Sequence, residues 1–320
     1  MSQDSMSKPP MKIIIDCDPG VDDAIALLLA LASPEIEVLA VTTVAGNVPA
    51  ERTFDNGRRV VALAGRPDVP VYRGCEGPLL GPLVRGKYSG AGGLGGSLLP
   101  ESTAPVEAAH SVDVLIANIL SAAEQGEQIT VCTLGPFTNL AVALAREPFI
   151  ARGIDRIISM AGAFAAGGNR TPSAEFNVLA DAHAAEMVLR SGVPVVLMPL
   201  DLTFQALATP ARVADLRGRG GRITDLAADL ITFYDRNDPA RYGEPGGPLH
   251  DPTVIAYLLR PELFGGRPAH VAVELAGQHS FGQTVGDFFN TTGNPHNATV
   301  LNRLDAPGFF DLLWERLARA

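Results

Sequence analysis

Apolar positions along the first third of the chain come in short runs whose period alternates between strand and helix. Lys12 to Asp16 holds Ile13-Ile14-Ile15 and predicts a strand covered on both faces. Val21 to Ala32 has helical character, Ile36 to Thr43 predicts a second strand, Ala50 to Ala64 a second helix, and Val69 to Tyr72 a short third strand. Beyond these come a long helix over Val106 to Gln125, a strand over Gln128 to Leu134, a helix ending at Arg146, and a strand over Ile154 to Met160. Ala180 to Arg190 reads as helix, Val195 to Met198 as strand, Leu202 to Tyr234 as mostly helix, and Asp251 to Leu259 as helix again. Short strands near Ala269–Leu275 and Gly282–Val285 precede a C-terminal helix. The alternation predicts an α/β fold with a mostly parallel central sheet and helices on both faces.

Two Gly- and Pro-rich stretches interrupt the pattern, Gly74–Pro100 and Asn237–Pro248. Loops of that length inside a compact domain are often functional. No internal repeat or linker divides the chain, so one domain is expected over residues 11–320, after a disordered polar tail, residues 1–10, that ends in Pro9-Pro10.

Composition narrows the partners. The 320 residues are 47% hydrophobic and 19% charged, with a formal net charge of −10. That balance allows a substantial core and argues against a nucleic-acid backbone or an anionic membrane as partner. Cys17, Cys75 and Cys132 are far apart and lack metal-site spacing, which suits a reducing cytoplasm. Residues 1–10 lack the apolar segment of a signal peptide, and no apolar run reaches the roughly 18 residues of a membrane span.

Against this background the stretch Asp16-Cys17-Asp18-Pro19-Gly20-Val21-Asp22-Asp23 stands out, with four carboxylates in eight residues directly after an apolar strand. Crowded negative charges repel unless a cation or a shared proton neutralises them, and an all-oxygen donor set favours Ca²⁺ or Mg²⁺. Helix capping by Asp18, with Pro19 at the first helical position, and dipole compensation by Asp22 and Asp23 would explain two acids, not four. Strand alternation turns Cys17 to the opposite face, into the core. Ligands of parallel sheets bind beyond the carboxyl ends of the strands, where this cluster and Thr42–Asn47 both fall. His250-Asp251-Pro252 follows the second loop; Asp251 is a possible helix cap and His250 a possible proton donor. Asn169–Asn177 offers amide and carboxyl groups that bond hydroxyls.

The Asp16–Asp23 motif resembles the defining motif of the inosine-uridine-preferring nucleoside hydrolase family. Thr42–Asn47, Leu134–Asn139, Met160–Ala163, Glu175–Asn177 and His250–Pro252 follow in the family's order, so the resemblance runs from Lys12 to the C-terminal region. It implies hydrolysis of the N-ribosidic bond of ribonucleosides to ribose and free base, in nucleoside salvage. It implies one Ca²⁺ held by Asp18, Asp23, Asp251 and the backbone carbonyl of Leu134, with water and two ribose hydroxyls completing a shell of about eight oxygens. Asp18 would also be the general base. Asp22, Asn47 and Asn177 would hold ribose hydroxyls, and Met160, Asn169 and Glu175 the 5′-hydroxyl end. His250 would protonate the leaving base, with Tyr234 or Tyr242 beside it. Asp16 would support the cluster from behind.

One position departs from the family. Ser89 stands in Ser89-Gly90-Ala91-Gly92-Gly93-Leu94 where many relatives carry a His, and a serine is no comparable acid near neutral pH. Trp314 is the only tryptophan, which weighs against a tryptophan-stacked purine site and leaves base preference open. The resemblance further implies a homodimer or homotetramer. Two other readings stand beside it: a Mg²⁺-dependent phosphatase-like enzyme, since aspartyl phosphatases also use an Asp-x-Asp strand end, and a non-catalytic nucleoside- or calcium-binding protein on the same fold.

Overall fold

The computed structural model describes residues 9–96, 99–233 and 238–320. The elements run β1 (Met11–Cys17), α1 (Val21–Leu31), β2 (Ile36–Thr43), α2 (Ala50–Leu63), β3 (Val71–Arg73), α3 (Ser111–Glu124), β4 (Ile129–Thr133), α4 (Thr138–Arg146), β5 (Ile154–Ser159), α5 (Phe176–Ala180), α6 (Ala182–Leu189), β6 (Val195–Leu197) and α7 (Leu200–Thr203). Then follow β7 (Leu207–Ala208), α8 (Pro210–Gly218), α9 (Arg222–Phe233), α10 (Pro239–Tyr242), β8 (Gly247–Pro248), α11 (Pro252–Leu259), β9 (Phe264–Val273), β10 (Thr284–Asp287), β11 (Ala298–Leu304) and α12 (Ala306–Leu317).

Nine strands form one sheet in the order β10-β9-β11-β6-β5-β4-β1-β2-β3, while β7 and β8 make a small separate pair. From β3 to β11 every pairing is parallel; β9 and β10 add an antiparallel edge. The predicted α/β class, with one mostly parallel sheet between helices, is what the chain adopts. Chain order reverses beside β1, which lies between β2 and β4, and the gap beyond their carboxyl ends is where doubly wound sheets bind ligands.

The Ile run in β1 serves both faces. Ile13, Ile15 and Cys17 enter one buried cluster and Ile14 the other, so a continuous apolar run, not an alternating one, is what a central parallel strand needs. All eleven residues of α1 are buried, because α2, α9, α11 and α12 pack around it. A helix enclosed on every side is apolar on every side, and Asp22 and Asp23 are its exceptions.

Differences from the sequence reading have local causes. The third helix begins at Ser111 rather than Val106, where the His110 ring nitrogen accepts the Val112 N–H and Val106 is left exposed. Asn237–Pro248 contains the short α10 and β8. β9 is longer than expected, and β11 was not expected at all. β11 pairs with β6 only over Ala298–Val300, and beyond that Asn302 and Arg303 are exposed, so its apolar pattern breaks halfway. The expected tail falls largely on residues outside the described set. Among the described residues no helix is long and apolar enough to cross a membrane.

Candidate active site

The turn after β1 is built around carboxylates accepting backbone N–H groups. α1 starts at Val21 with Gly20 as its cap residue, so Pro19 precedes the helix and Asp18 does not cap it. Asp23 does that work instead: its carboxylate accepts the Gly20 N–H at 2.9 Å and the Asp18 N–H at 3.1 Å. Asp18 accepts the Asn47 N–H at 2.6 Å, and the Asn47 amide donates to the Asp18 carbonyl at 3.2 Å and to Asp23 at 3.1 Å. Glycines let two further segments close on Asp18. A Cβ at Gly135 would sit 2.6 Å from Asp18 Oδ1, and one at Gly46 would collide with Oδ2. Asp16 lies behind, accepting the Thr42 hydroxyl at 2.7 Å and the Asn139 amide at 2.8 Å, and thereby tying β1 to β2 and α4.

His250 and Asp251 arrive from the far side on the turn before α11. Asp251 makes no capping bond with its side chain. Its carboxylate instead converges with those of Asp22 and Asp23, with one oxygen from each within 4.8 Å of the others, all three residues buried. His250 is buried, its Nδ1 2.7 Å from the Thr203 hydroxyl and its ring edge-on to Phe204.

Burial and crowding raise these acids together. Burial, then the Asp23 charge, pushes Asp18 well above the usual carboxyl range. Burial, then Asp22, pushes Asp23 up to about 7 and Asp251 well above its ordinary value. Asp16 rises to about 7 by burial, against the bonds from Asn139 and Thr42. Among the described residues, the groups acting on Asp18, Asp23 and Asp251 are other acids and backbone amides. Buried carboxylate oxygens in mutual repulsion are the donor set of a hard divalent metal.

Asp18, Asp22, His250 and Asp251 face a cavity of about 490 Å³, its mouth included. Of the residues picked from sequence, Asp18, Asp22, Asn47, Leu134, Met160, Asn169, Glu175, Asn177, His250 and Asp251 line it. Asp23 joins through the acid triad. The triad contains Asp22, expected to hold ribose, while Asp18, expected among the ligands, stands beside it. Asn177 donates to the Leu134 carbonyl at 2.6 Å and the Met160 carbonyl at 2.9 Å, drawing the ends of β4 and β5 together. Glu175 accepts the N–H groups of Gly162, Asn177 and Val178.

Tyr242 does not line the cavity; its ring packs edge-on against Phe204, which in turn meets His250. Tyr234 lies outside the described residues. Ser89 is buried behind the wall, and its hydroxyl donates to Asn47 Oδ1 at 3.2 Å. The lining also includes Gly86, Lys87, Tyr88, Arg170 and Phe176, which the sequence reading did not pick. All five sit in or beside segments it had marked, but which loop side chains turn inward is not written in composition.

A family model described as inosine-uridine preferring nucleoside hydrolase matches residues 13–311. The pyrimidine-specific ribonucleoside hydrolase RihA of Salmonella gallinarum is 43% identical over 309 residues, 96% of this chain and 98% of that protein. A purine-preferring ribonucleoside hydrolase from Gardnerella vaginalis superposes with a TM-score of 0.88 at 30% identity, covering 96% of this chain and 98% of its own. The plant nucleoside hydrolase PpNRh1 also superposes at 0.88, with 31% identity and coverage of 97% and 99%.

Proposed function

The chain belongs to the inosine-uridine preferring nucleoside hydrolase family and is a ribonucleoside hydrolase; from that premise we propose that it is Ca²⁺-dependent, with Asp18 as general base and His250 serving the leaving base, in nucleoside salvage. The carrying observation is that Asp18, Asp22 and Asp251 line one cavity at the reversal point of the sheet, with Asp23 grouped with Asp22 and Asp251 behind it. Asp18, Asp23, Asp251 and the Leu134 carbonyl would hold the cation, with the Asp22 carboxylate converging on Asp23 and Asp251. When bound, the cation neutralises the acids and makes water easier to deprotonate.

The chain's own groups account for the rest. Asp18, held by the Asn47 N–H and by close contact with Gly46 and Gly135, takes the proton of the attacking water. Asp22, Asn47 and Asn177 orient the ribose hydroxyls, and Met160, Asn169 and Glu175 receive the 5′ end. As the C1′–N bond breaks, positive charge grows on the ribosyl ring, and the buried acids favour that charge over the neutral ground state. The Thr203 hydroxyl fixes the His250 ring at the cavity wall, where it supplies a proton or hydrogen bond to the departing base.

A homo-oligomer working in a reducing cytoplasm completes the proposal, the latter supported by three unpaired cysteines. The family match removes the ground for a phosphatase-like reading. The presence of both Asp18 and His250 on the cavity counts against a non-catalytic one. The test is a panel of uridine, cytidine, inosine and adenosine with Ca²⁺, assayed for reducing sugar. Turnover of at least one, lost in chelator and restored by Ca²⁺, is expected; no sugar from any of them would sink the reading.

A further inference from the structure

Threonines on the helices of this chain commonly turn their hydroxyl back on the helix. Thr53, Thr224, Thr232 and Thr253 each donate to a carbonyl three or four residues earlier. Thr203, at the end of α7, does not. It is fully buried, and among the described residues its hydroxyl bonds to Nδ1 of His250, at 2.7 Å, and to no carbonyl or carboxylate. A hydroxyl has one hydrogen to give. Here that hydrogen goes to Nδ1, which therefore accepts, and the imidazole carries its own hydrogen on Nε2.

Both partners are held from several sides. The Leu200 N–H donates to the Gly162 carbonyl at 2.9 Å, and the Asp201 carboxylate accepts the N–H groups of Phe164, Ala165 and Ala166 at 2.8, 2.7 and 3.1 Å. These bonds fasten α7 to the turn after β5. Gln205 fastens it to β11, donating to the Asn302 carbonyl at 2.9 Å and accepting the Leu304 N–H at 3.1 Å. The chain before His250 is tied to the same segment, with the Leu249 N–H donating to the Ala206 carbonyl at 2.9 Å. Thr253 holds the His250 carbonyl at 2.6 Å, and the Phe204 ring lies edge-on to the imidazole, 6.1 Å between centroids. The backbones thus fix where hydroxyl and ring meet. Turning the ring over would place carbon where Nδ1 stands and leave a buried O–H without its acceptor, which burial makes costly.

Resting on the reading in which His250 serves the leaving base, we propose that Thr203 is a positioning residue of the reaction: it keeps the His250 hydrogen on Nε2, so that the ring offers the departing base a hydrogen bond. As the C1′–N bond breaks, its electron pair stays with the base, and the Nε2–H group meets the negative charge that grows there. The net reaction is unchanged, with the hydroxyl of water joining C1′ and its hydrogen ending on the base. The other tautomer would turn a bare lone pair toward that charge and repel it. Attack by water does not depend on the tautomer, so the effect is confined to substrates whose leaving group needs help.

The experiment uses full-length protein with Ca²⁺ on uridine, inosine and the para-nitrophenyl riboside, whose nitrophenolate departs unaided. Thr203→Val removes the hydroxyl and keeps the shape; Thr203→Ser keeps the hydroxyl. On whichever nucleoside the parent cleaves, kcat should fall about tenfold or more in Thr203→Val and return to within about threefold of the parent in Thr203→Ser. On the nitrophenyl riboside both variants should stay within about threefold of the parent, which also reports an intact fold. ¹⁵N NMR of histidine-labelled protein, with the His250 signals assigned by their loss in His250→Ala, should show the hydrogen on Nε2 in the parent and both tautomers in Thr203→Val. Equal losses on nucleoside and nitrophenyl riboside would make Thr203 a packing residue and overturn the proposal. A parent His250 protonated on Nδ1 alone, or nucleoside turnover unmoved by Thr203→Val, would overturn it too. His250→Ala separates this inference from the reading beneath it. If that variant keeps full nucleoside turnover, the role of His250 falls and the proposal with it. If it loses turnover and Thr203→Val does not, the role of Thr203 alone falls.

Discussion

The acid floor of the cavity and its loop-borne rim are built in opposite ways. Floor residues leave a central strand or enter a helix, and their oxygens accept specific backbone N–H groups: Asp23 those of Asp18 and Gly20, Asp18 that of Asn47. Rim residues Lys87, Tyr88 and Arg170 come from segments with no regular structure, and Lys87 and Tyr88 are exposed as well as cavity-lining. Chemistry that needs carboxylates held against their own repulsion must sit on rigid elements, whereas recognition of what varies between substrates sits where the backbone is not committed to a sheet. Ser89 joins the two: it belongs to the first loop, yet its hydroxyl holds the amide of Asn47 that in turn holds Asp23. A Cβ at Gly20 would lie 2.7 Å from the Asn47 amide and 2.8 Å from the Ser89 hydroxyl, so loop and acid turn are in direct contact.

That contrast can be broken at several points, with effects of decreasing size. Asp18→Asn removes a charge and a base while keeping the shape of the floor. It should lower kcat by about 10³-fold or more, given a general-base contribution of roughly 10²–10⁴, with an unchanged far-ultraviolet circular dichroism spectrum. Activity within tenfold of the parent would show that Asp18 is not the base.

The floor should also betray its strain in metal-free protein. Asp16 and Asp23 titrate near 7 in the fold against an ordinary 3.8. The native chain therefore holds protons that the unfolded chain releases, and stability is greatest below about pH 4 on this account and is lost as pH rises through about 7. Ca²⁺ binds the deprotonated acids, so saturating Ca²⁺ should raise Tm by roughly 5 °C at pH 8 and by less at pH 5. Calorimetric scans at the two pH values check this, and a larger gain at pH 5 would contradict a carboxylate site.

The joint between floor and rim carries the smallest effect. Ser89→Ala leaves Asn47 Oδ1 without its hydroxyl partner, and loss of a bond worth about 1 kcal/mol should reduce kcat/KM roughly three- to tenfold. Because Asn47 touches the acids, the loss should include kcat and not KM alone. A change confined to KM would place Ser89 with the rim.

Much of this was legible beforehand for a physical reason. The Ile13–Ile15 run, the acids directly after it and the strand–helix alternation are local features, and each is set by what a buried parallel strand and a clustered donor set require. Asp251 was ambiguous, because the residue before a helix-starting proline is a natural cap. Its side chain caps nothing, and only the arrival of α1 beside α11 brings it to Asp22 and Asp23. β11 was hidden because half of it lies past its parallel neighbour and carries polar residues.

By itself the sequence determined the α/β class, the position of the acid turn at a strand end, and the family through the order of its motifs, since these depend on residue type and short-range spacing. Tertiary structure alone decided which oxygens converge, that Asp22 stands in the triad while Asp18 is wedged between Gly46 and Gly135, that Ser89 serves Asn47, and that Lys87 and Arg170 turn toward the cavity. Those outcomes depend on where separate segments of chain come to rest against one another, and no local pattern encodes a distance between residues far apart in sequence.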